Sequence, residues 1–352
     1  MLGRFQTNGF CMVTAAILSV AVTSGGVIAQ GQPAGAKPKT VVRLGVSNRP
    51  DQAFLELAFA RGYFEEQGIT IQTVPATSGV DFVSPLALDQ LDVGSGSPNA
   101  ALFNALNRKI DIRIVADFAH IAPTDDGLVS IVVRKDLADS GAIKTVADLK
   151  GRSIGAGTGR GQVGNLIIYK MLQAGKVPTS TVNLKTMNFS DALSALANKN
   201  LDVAFLIEPL ITQAEMQNIA KVFLKGSAIR PNTHLAVLLY SSTFAKQTDL
   251  ANRFMVAYLH GVRDYHEAFF LKKNREAAID ILMKRLPIKD RKVWENAMPQ
   301  YIDVNGRVDV KDLQEQAGIY MELGDVVGQA PSMDKFVDPK FAEAAVSILG
   351  KR

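Results

Sequence analysis

The sequence has few of the residues from which covalent or metal-bound scaffolds are made. It holds one cysteine, Cys11, and four histidines, at positions 120, 234, 260 and 266. A lone cysteine excludes an intrachain disulfide framework. His260 and His266 stand six apart, so they cannot share a helical face as an i, i+4 ligand pair would. No GxSxG elbow is present. Charge is dispersed as well: 39 Lys and Arg face 34 Asp and Glu, a net of +5, with no basic block and few aromatics among the basic residues. That pattern argues against nucleic-acid binding. These absences predict a protein that is not an enzyme and that carries neither metal nor cofactor.

What is present begins at the N-terminus. Arg4 is the only charge in the first 36 residues, and an apolar run extends from Phe10 to Val22. Val27-Ile28-Ala29 then offers a small-residue exit. A charged start, a short apolar run and such an exit describe a secretory signal peptide over 1–29, with cleavage after Ala29. The run is shorter than the roughly 20 residues a spanning helix needs. Cys11 lies within it, with no small-residue site just before, which speaks against a lipid anchor. Cleavage would leave a mature chain without cysteine, suited to an oxidising compartment. Residues 30–39 (GQPAGAKPK after Gln30) read as a flexible lead-in. No later stretch is long and apolar enough to span a membrane.

From Thr40 onward strands alternate with helices. Expected strands cover 41–46, 69–74, 91–94 and 112–118, with helices over 50–61 and 80–89. The grammar restarts with strands at 128–134, 153–156, 182–187 and 201–207 and helices at 162–174 and 191–199. The phrase Leu91-Asp92-Val93 returns as Leu201-Asp202-Val203, 110 residues on. A strand at 234–240 precedes helices expected over 244–271, 275–286, 290–296, 310–323 and 339–349. Strands spaced by helices imply parallel βαβ units. The predicted fold class is α/β, in two lobes: 40–120 with 232–352, which includes a helical C-terminal tail, and 121–231.

The sharpest local signal is Gly155-Ala156-Gly157-Thr158-Gly159-Arg160-Gly161-Gln162-Val163-Gly164, after a strand and opening a helix. Helix N-termini carry unpaired amides and partial positive charge, so this loop is a candidate anion site. Thr158, Gly159, Arg160, Gly161 and Gln162 are its candidate contacts, Arg160 able to grip two oxygens. A structural turn is the competing reading. The dinucleotide reading of GxGxxG fails because Thr179, Ser180 and Thr181 stand where an acidic residue belongs. Ligands in open α/β sheets sit beyond the carboxyl ends of strands. Ser47, Asn48 and Arg49 lie there after the first strand, and Ser95, Ser97 and Asn99 after the third, although the latter are also ordinary helix caps. Glu208, at the end of a lobe-two strand, is expected to meet a ligand donor or to brace Arg160. His120, Asp125 and Asp126 mark where the chain leaves the first lobe. Arg49 and Arg160 together lead to an expected anionic solute, a sulfonate or carboxylate.

Taken together these phrases resemble the solute-binding proteins of nitrate, sulfonate and taurine ABC importers. The resemblance is carried by Gly62-Tyr63-Phe64-Glu65-Glu66-Gln67-Gly68-Ile69, Leu91-Asp92-Val93-Gly94, Asp148-Leu149-Lys150-Gly151-Arg152-Ser153-Ile154-Gly155, Leu201-Asp202-Val203 before Glu208-Pro209, and Lys335-Phe336-Val337-Asp338. It implies a periplasmic binding protein type II-like fold, two lobes closing on a small organic molecule, with an ABC permease and ATPase as partners. A periplasmic monomer is the expected form. Two alternatives are a periplasmic sensor-type binding module and an enzyme like the thiamin pyrimidine synthases. The latter carry a CCCFC run that is missing from this sequence.

Overall fold

Strand β1 (Thr40–Val46) opens the described part of the chain and sets the plan of the first lobe. It is followed by β2 (Ile69–Pro75), β3 (Val93–Gly96), β4 (Ile112–His120), β5 (Val129–Arg134), β6 (Ser153–Gly155), β7 (Asn183–Lys185), β8 (Val203–Ile207), β9 (Ala220–Lys225) and β10 (His234–Ser241). The structure is a computed structural model and describes residues 40–46, 50–75, 82–123, 128–157 and 159–352. The expected signal peptide and lead-in therefore lie outside the described residues, as do Ser47, Asn48, Arg49, Asp125, Asp126 and Thr158. No described helix is long and apolar enough to cross a membrane.

The strands form two five-stranded sheets, ordered β2-β1-β3-β10-β4 and β7-β6-β8-β5-β9. The chain passes from the first sheet to the second between β4 and β5 and returns between β9 and β10. The sheets are mixed, not wholly parallel as strand–helix alternation suggested. β10 runs antiparallel to β3 and β4, and β5 antiparallel to β8 and β9. Both exceptions are strands reached by a crossing from the other sheet. Such a crossing places no helix between adjacent parallel neighbours, so the βαβ rule does not bind them.

The repeated Leu-Asp-Val phrase has a structural cause. Asp92 accepts from the Arg43 amide at 2.7 Å and from its guanidinium at 2.6 Å. Asp202 accepts from the Ser153 amide at 3.0 Å and its hydroxyl at 2.9 Å. In both lobes the aspartate lies 49 residues beyond the strand residue it holds. Each carboxylate satisfies the edge of the strand that runs parallel to its own. The leucine and valine on either side are fully buried, so one tripeptide anchors both the apolar layer and the strand end.

Elsewhere the described elements depart from expectation in instructive ways. The helix expected over 244–271 is two helices, Ser242–Lys246 and Thr248–Phe269, because Gln247 leaves helical geometry at φ −82°, ψ 63°. Ser241 caps the first of them by accepting from the Phe244 amide. The edge strand β9 and the helix Leu210–Met216 were not expected. The strand expected over 91–94 is shifted to 93–96, which makes Ser95 a strand residue. The long helix Thr248–Phe269 packs on Ala53–Ala60 and Lys340–Leu349, with Phe54, Phe254, Tyr258 and Phe341 buried. The tail thus completes the first lobe. Its helix Val310–Glu322 also touches both Ala100–Asn107 and Val163–Ala174, one from each lobe.

Candidate ligand-binding cleft

A cavity of about 740 Å³ lies between the two sheets. Its size falls within the range of small-molecule sites, roughly 300–1,000 Å³. The wall is built from residues at or just beyond strand ends: Ser95 and Gly96 at the end of β3 and Ser97 after it, Gly157 after β6, Asn188 after β7 and Glu208 after β8. This is the carboxyl side of the parallel strands, where backbone ladders end and side chains are free to turn inward. Phe118 and Phe205, nearly fully buried, join Phe189 in the lining, and Leu128, Ile207 and Leu235 add aliphatic surface.

The polar groups of the wall are unequal in what they can offer. Glu208 is 9% exposed. Its carboxylate accepts from the Thr212 amide at 3.0 Å and hydroxyl at 2.9 Å, and from the Met298 amide at 3.4 Å. Burial pushes its carboxyl up from the ordinary range, against these donors. Gln300 is 6% exposed and donates its side-chain N–H to the Phe118 carbonyl at 2.7 Å. Its side-chain oxygen is left as an acceptor. Gln162 has the reverse polarity: its oxygen accepts from Asn99 at 3.3 Å, leaving its amide as donor. Asp51 and Asp191 also line the cavity, whereas no described Lys, Arg or His does. The helix Val163–Ala174 begins at the wall with Val163 and Gly164, so its first amides, which have no partners within the helix, face this region.

Of the residues singled out in the sequence, Ser95, Ser97, Gln162 and Glu208 are brought together in this lining. Ser47, Asn48, Arg49 and Thr158 lie outside the described residues. Asn99 is buried as a cap, its oxygen accepting from the Leu102 amide at 2.9 Å. Gly159, Arg160 and Gly161 lie off the cavity. Arg160 does not point inward: it pairs with Asp325 through Nε and donates to the Leu323 carbonyl at 2.9 Å, with its side chain 77% exposed. Glu208 therefore does not brace Arg160; it is held by Thr212 instead. Gly161 accepts from the Ala100 amide at 3.0 Å. At φ +75° it presses so close that a Cβ would lie 2.8 Å from that of Ala100. The glycine-rich loop is a seam joining the second lobe to the first lobe and its tail. Asn188, Phe189, Ser190 and Asp191 follow a strand end as Ser97 does, so the same reasoning could have found them. Gln300 comes from the tail, where no local pattern marked it.

Outside the cavity, Asp117, His120 and His234 form the one cluster among the described residues with metal-ligand composition. Asp117 is fully buried. Its Oδ2 takes His120 Nδ1 at 2.6 Å and the Asp303 amide at 2.7 Å; its Oδ1 takes His234 Nδ1 at 3.0 Å. His234 Nε2 accepts from the Asp309 amide at 2.8 Å. That acceptor role fixes a neutral ring with its proton on Nδ1, donated to Asp117. A metal at His234 Nδ1 would require that proton to move to Nε2, against the Asp309 amide. The arrangement fits a hydrogen-bonded clamp between the end of β4 and the start of β10, next to the crossing.

A family model described as NMT1/THI5 like matches residues 49–268. A protein named as an ABC transporter periplasmic binding protein of Brachyspira hyodysenteriae is 27% identical over 203 residues, 55% of this chain and 56% of its own length. The match thus spans little more than half of that relative. A binding protein of Brucella abortus is 24% identical over 234 residues, 66% of this chain and 67% of the other. Among solved structures, the alkanesulfonate-binding protein SsuA of Xanthomonas axonopodis pv. citri, bound to MOPS, superposes with a TM-score of 0.68 at 16% identity. It covers 86% of this chain and all of its own. The periplasmic nitrate-binding protein NrtA of Synechocystis gives 0.69 at 14% identity, covering 88% and 89%. These structural likenesses establish the fold, two α/β lobes of the periplasmic binding protein kind.

Proposed function

The chain belongs to the NMT1/THI5-like family, and from that premise we propose that it is a solute-binding receptor that captures a small organic molecule and delivers it to an ABC permease driven by its ATPase. The observation that carries this reading is the cavity itself. It is about 740 Å³, placed at the carboxyl ends of strands from both sheets, and lined by aromatic and aliphatic surface with a few buried polar groups. Among the described residues of the lining, none pairs a nucleophile with a base. The nearest His–Asp cluster is closed on itself by hydrogen bonds, which leaves binding as the chemistry of the site.

The receptor reading includes motion. We place the two lobes at 40–120 with 232–352 and at 121–231, hinged at the two crossings. Bonds across the mouth, Ala100 to Gly161, Asn99 to Gln162 and Arg160 to Asp325, would form as the lobes close on a solute. Solute binding is expected to raise the melting temperature, by the equivalent of about 2.7 kcal/mol at a hundredfold excess over Kd. It should also shrink the radius of gyration in small-angle scattering. A library of small organic metabolites screened by thermal melting, with scattering on the hits, tests both. A failure to bind any of them would remove the receptor reading.

Export is the remaining part of the proposal. The N-terminal 1–29 segment directs the protein to the periplasm and is removed, and the mature chain works as a monomer. Mass spectrometry of the exported protein is expected to find an N-terminus at or near Gln30. A soluble cytosolic product retaining Met1 to Val22 would overturn it.

A further inference from the structure

We propose that the cleft selects an organic cation: a solute with an apolar or aromatic body and a positively charged nitrogen directed at Glu208. The inference rests on the receptor reading and goes on to name the ligand's charge. The carboxylates of Asp191 and Glu208 line the cavity together with Asp51, and the described lining holds no Lys, Arg or His. Arg49 follows β1 and lies outside the described residues, yet counting it leaves the carboxylates in the majority. The start of helix Val163–Ala174 contributes the equivalent of about half a positive charge, too little to reverse the sign. An anion here would face Asp191 and Glu208 with no Lys, Arg or His in the described lining.

The hydrogen-bonding inventory points the same way. Gln300 gives one of its two side-chain N–H groups to Phe118 and keeps its oxygen as an acceptor. Glu208 in its ionised form only accepts. Ser95 is 8% exposed, lines the cavity, and has no hydrogen-bond partner for its hydroxyl among the described residues. A solute bearing N–H donors can pair with all three groups, whereas one that is all acceptor offers nothing to Glu208. Phe118, Phe189 and Phe205 add ring faces, which attract a cation through their quadrupoles.

The cation is organic and not a metal ion. A metal of the hard, oxygen-loving kind needs about six oxygens converging on one point. The one described cluster with converging ligand atoms is Asp117, His120 and His234, which does not line the cavity. A volume of about 740 Å³ with phenyl and aliphatic walls calls instead for a carbon framework. The donors of Gln162 and of the first helix amides would receive an acceptor group of the same molecule.

The test uses three matched probe series in thermal melting and titration calorimetry on the full mature chain. The cations are benzamidine, benzyltrimethylammonium and agmatine; the neutral set is benzamide and benzyl alcohol; the anions are benzenesulfonate, benzoate and nitrate. Binding is expected in the cationic series and absent in the anionic one. Glu208→Gln should weaken the bound cation at least tenfold. Asp191→Asn, at an exposed wall position where the amide oxygen can still accept from Asn188, should weaken it about threefold. Binding confined to the anionic or neutral series overturns the charge assignment and leaves the receptor standing. So does cation binding unaltered in both variants. If none of these probes and no metabolite in the wider screen binds, the receptor reading itself falls.

Discussion

Asp117→Asn is expected to destabilise the protein by about 3–5 kcal/mol, the usual cost of breaking a buried charged network from one side. The carboxylate receives three donors: Nδ1 of His120 at 2.6 Å, Nδ1 of His234 at 3.0 Å and the Asp303 amide at 2.7 Å. Asparagine keeps one acceptor and replaces the other by an NH₂ group. A donor would then face a donor, at a site with no exposure to water. His234 cannot relieve the conflict by changing tautomer, because its Nε2 already accepts from Asp309. The position also matters. The network ties the end of β4, the start of β10 and the 301–303 loop together where the chain changes lobes, so both lobes share the loss. Burial acts to raise the Asp117 carboxyl, but the charge of His120 and the hydrogen bonds from both imidazoles outweigh it and hold the group well below the usual carboxylate range. A depressed folded-state value stabilises the fold above the unfolded value, about 3.9, and that contribution fades as pH falls further. The stability gap between wild type and Asp117→Asn should therefore be complete above about pH 5 and narrow below about pH 4. Denaturant titrations at several pH values read it directly. A gap under about 1 kcal/mol at neutral pH would show that the network does not hold the crossing.

Much of the architecture is legible in the sequence, and the failures share a cause. The strands flanking Leu91-Asp92-Val93 and Leu201-Asp202-Val203 are marked by composition and position alone, since each tripeptide does the same local work. Positions after strand ends singled out Ser95, Ser97 and Glu208, and the glycine-rich helix start singled out Gln162; all four line the cavity, because both rules depend only on local chain direction. What could not be read depends on contacts far along the chain. The antiparallel course of β5 and β10 follows from crossings between lobes. β9 is an edge strand whose middle residues are only half-buried, so its pattern is too weak to stand out. Arg160 sits in a loop that favours anions by every local criterion, and its guanidinium is claimed by Asp325, 165 residues away. Gln300 reaches the cavity from 182 residues beyond the Phe118 carbonyl that orients it. The expectation of an anionic solute leaned on Arg160, so the tail that captures this arginine also removes half of the case for it.

Gly164→Val is expected to damage stability and binding together, for a reason that the glycine-rich motif shares with nucleotide-binding loops without binding a nucleotide. In Gly159-Arg160-Gly161-Gln162-Val163-Gly164 the last glycine lets the helix lie against the sheet. A Cβ at Gly164 would stand 2.7 Å from the Ala156 carbonyl oxygen and 2.9 Å from the Phe205 ring. The first contact is backbone and cannot swing aside, so valine must lift the start of helix Val163–Ala174 away from β6 and β8. Overpacking of this kind costs about 3 kcal/mol. The second contact transmits the strain to function, because Phe205 is 1% exposed to solvent in the core of β8 and also forms part of the cleft wall. A displaced helix start and a turned ring should narrow the cavity and lower affinity for whichever solute the screen identifies by more than tenfold. Leu166→Ala supplies the control. Leu166 is fully buried on the same helix but lies outside the cleft lining, and its loss should cost a similar 2–5 kcal/mol. Calorimetry well below both melting temperatures then separates the two effects: the leucine variant should bind like wild type, and the glycine variant should not. Equal affinity in both would mean that Phe205 does not shape the site, and that the glycine serves only the packing of the helix on its sheet.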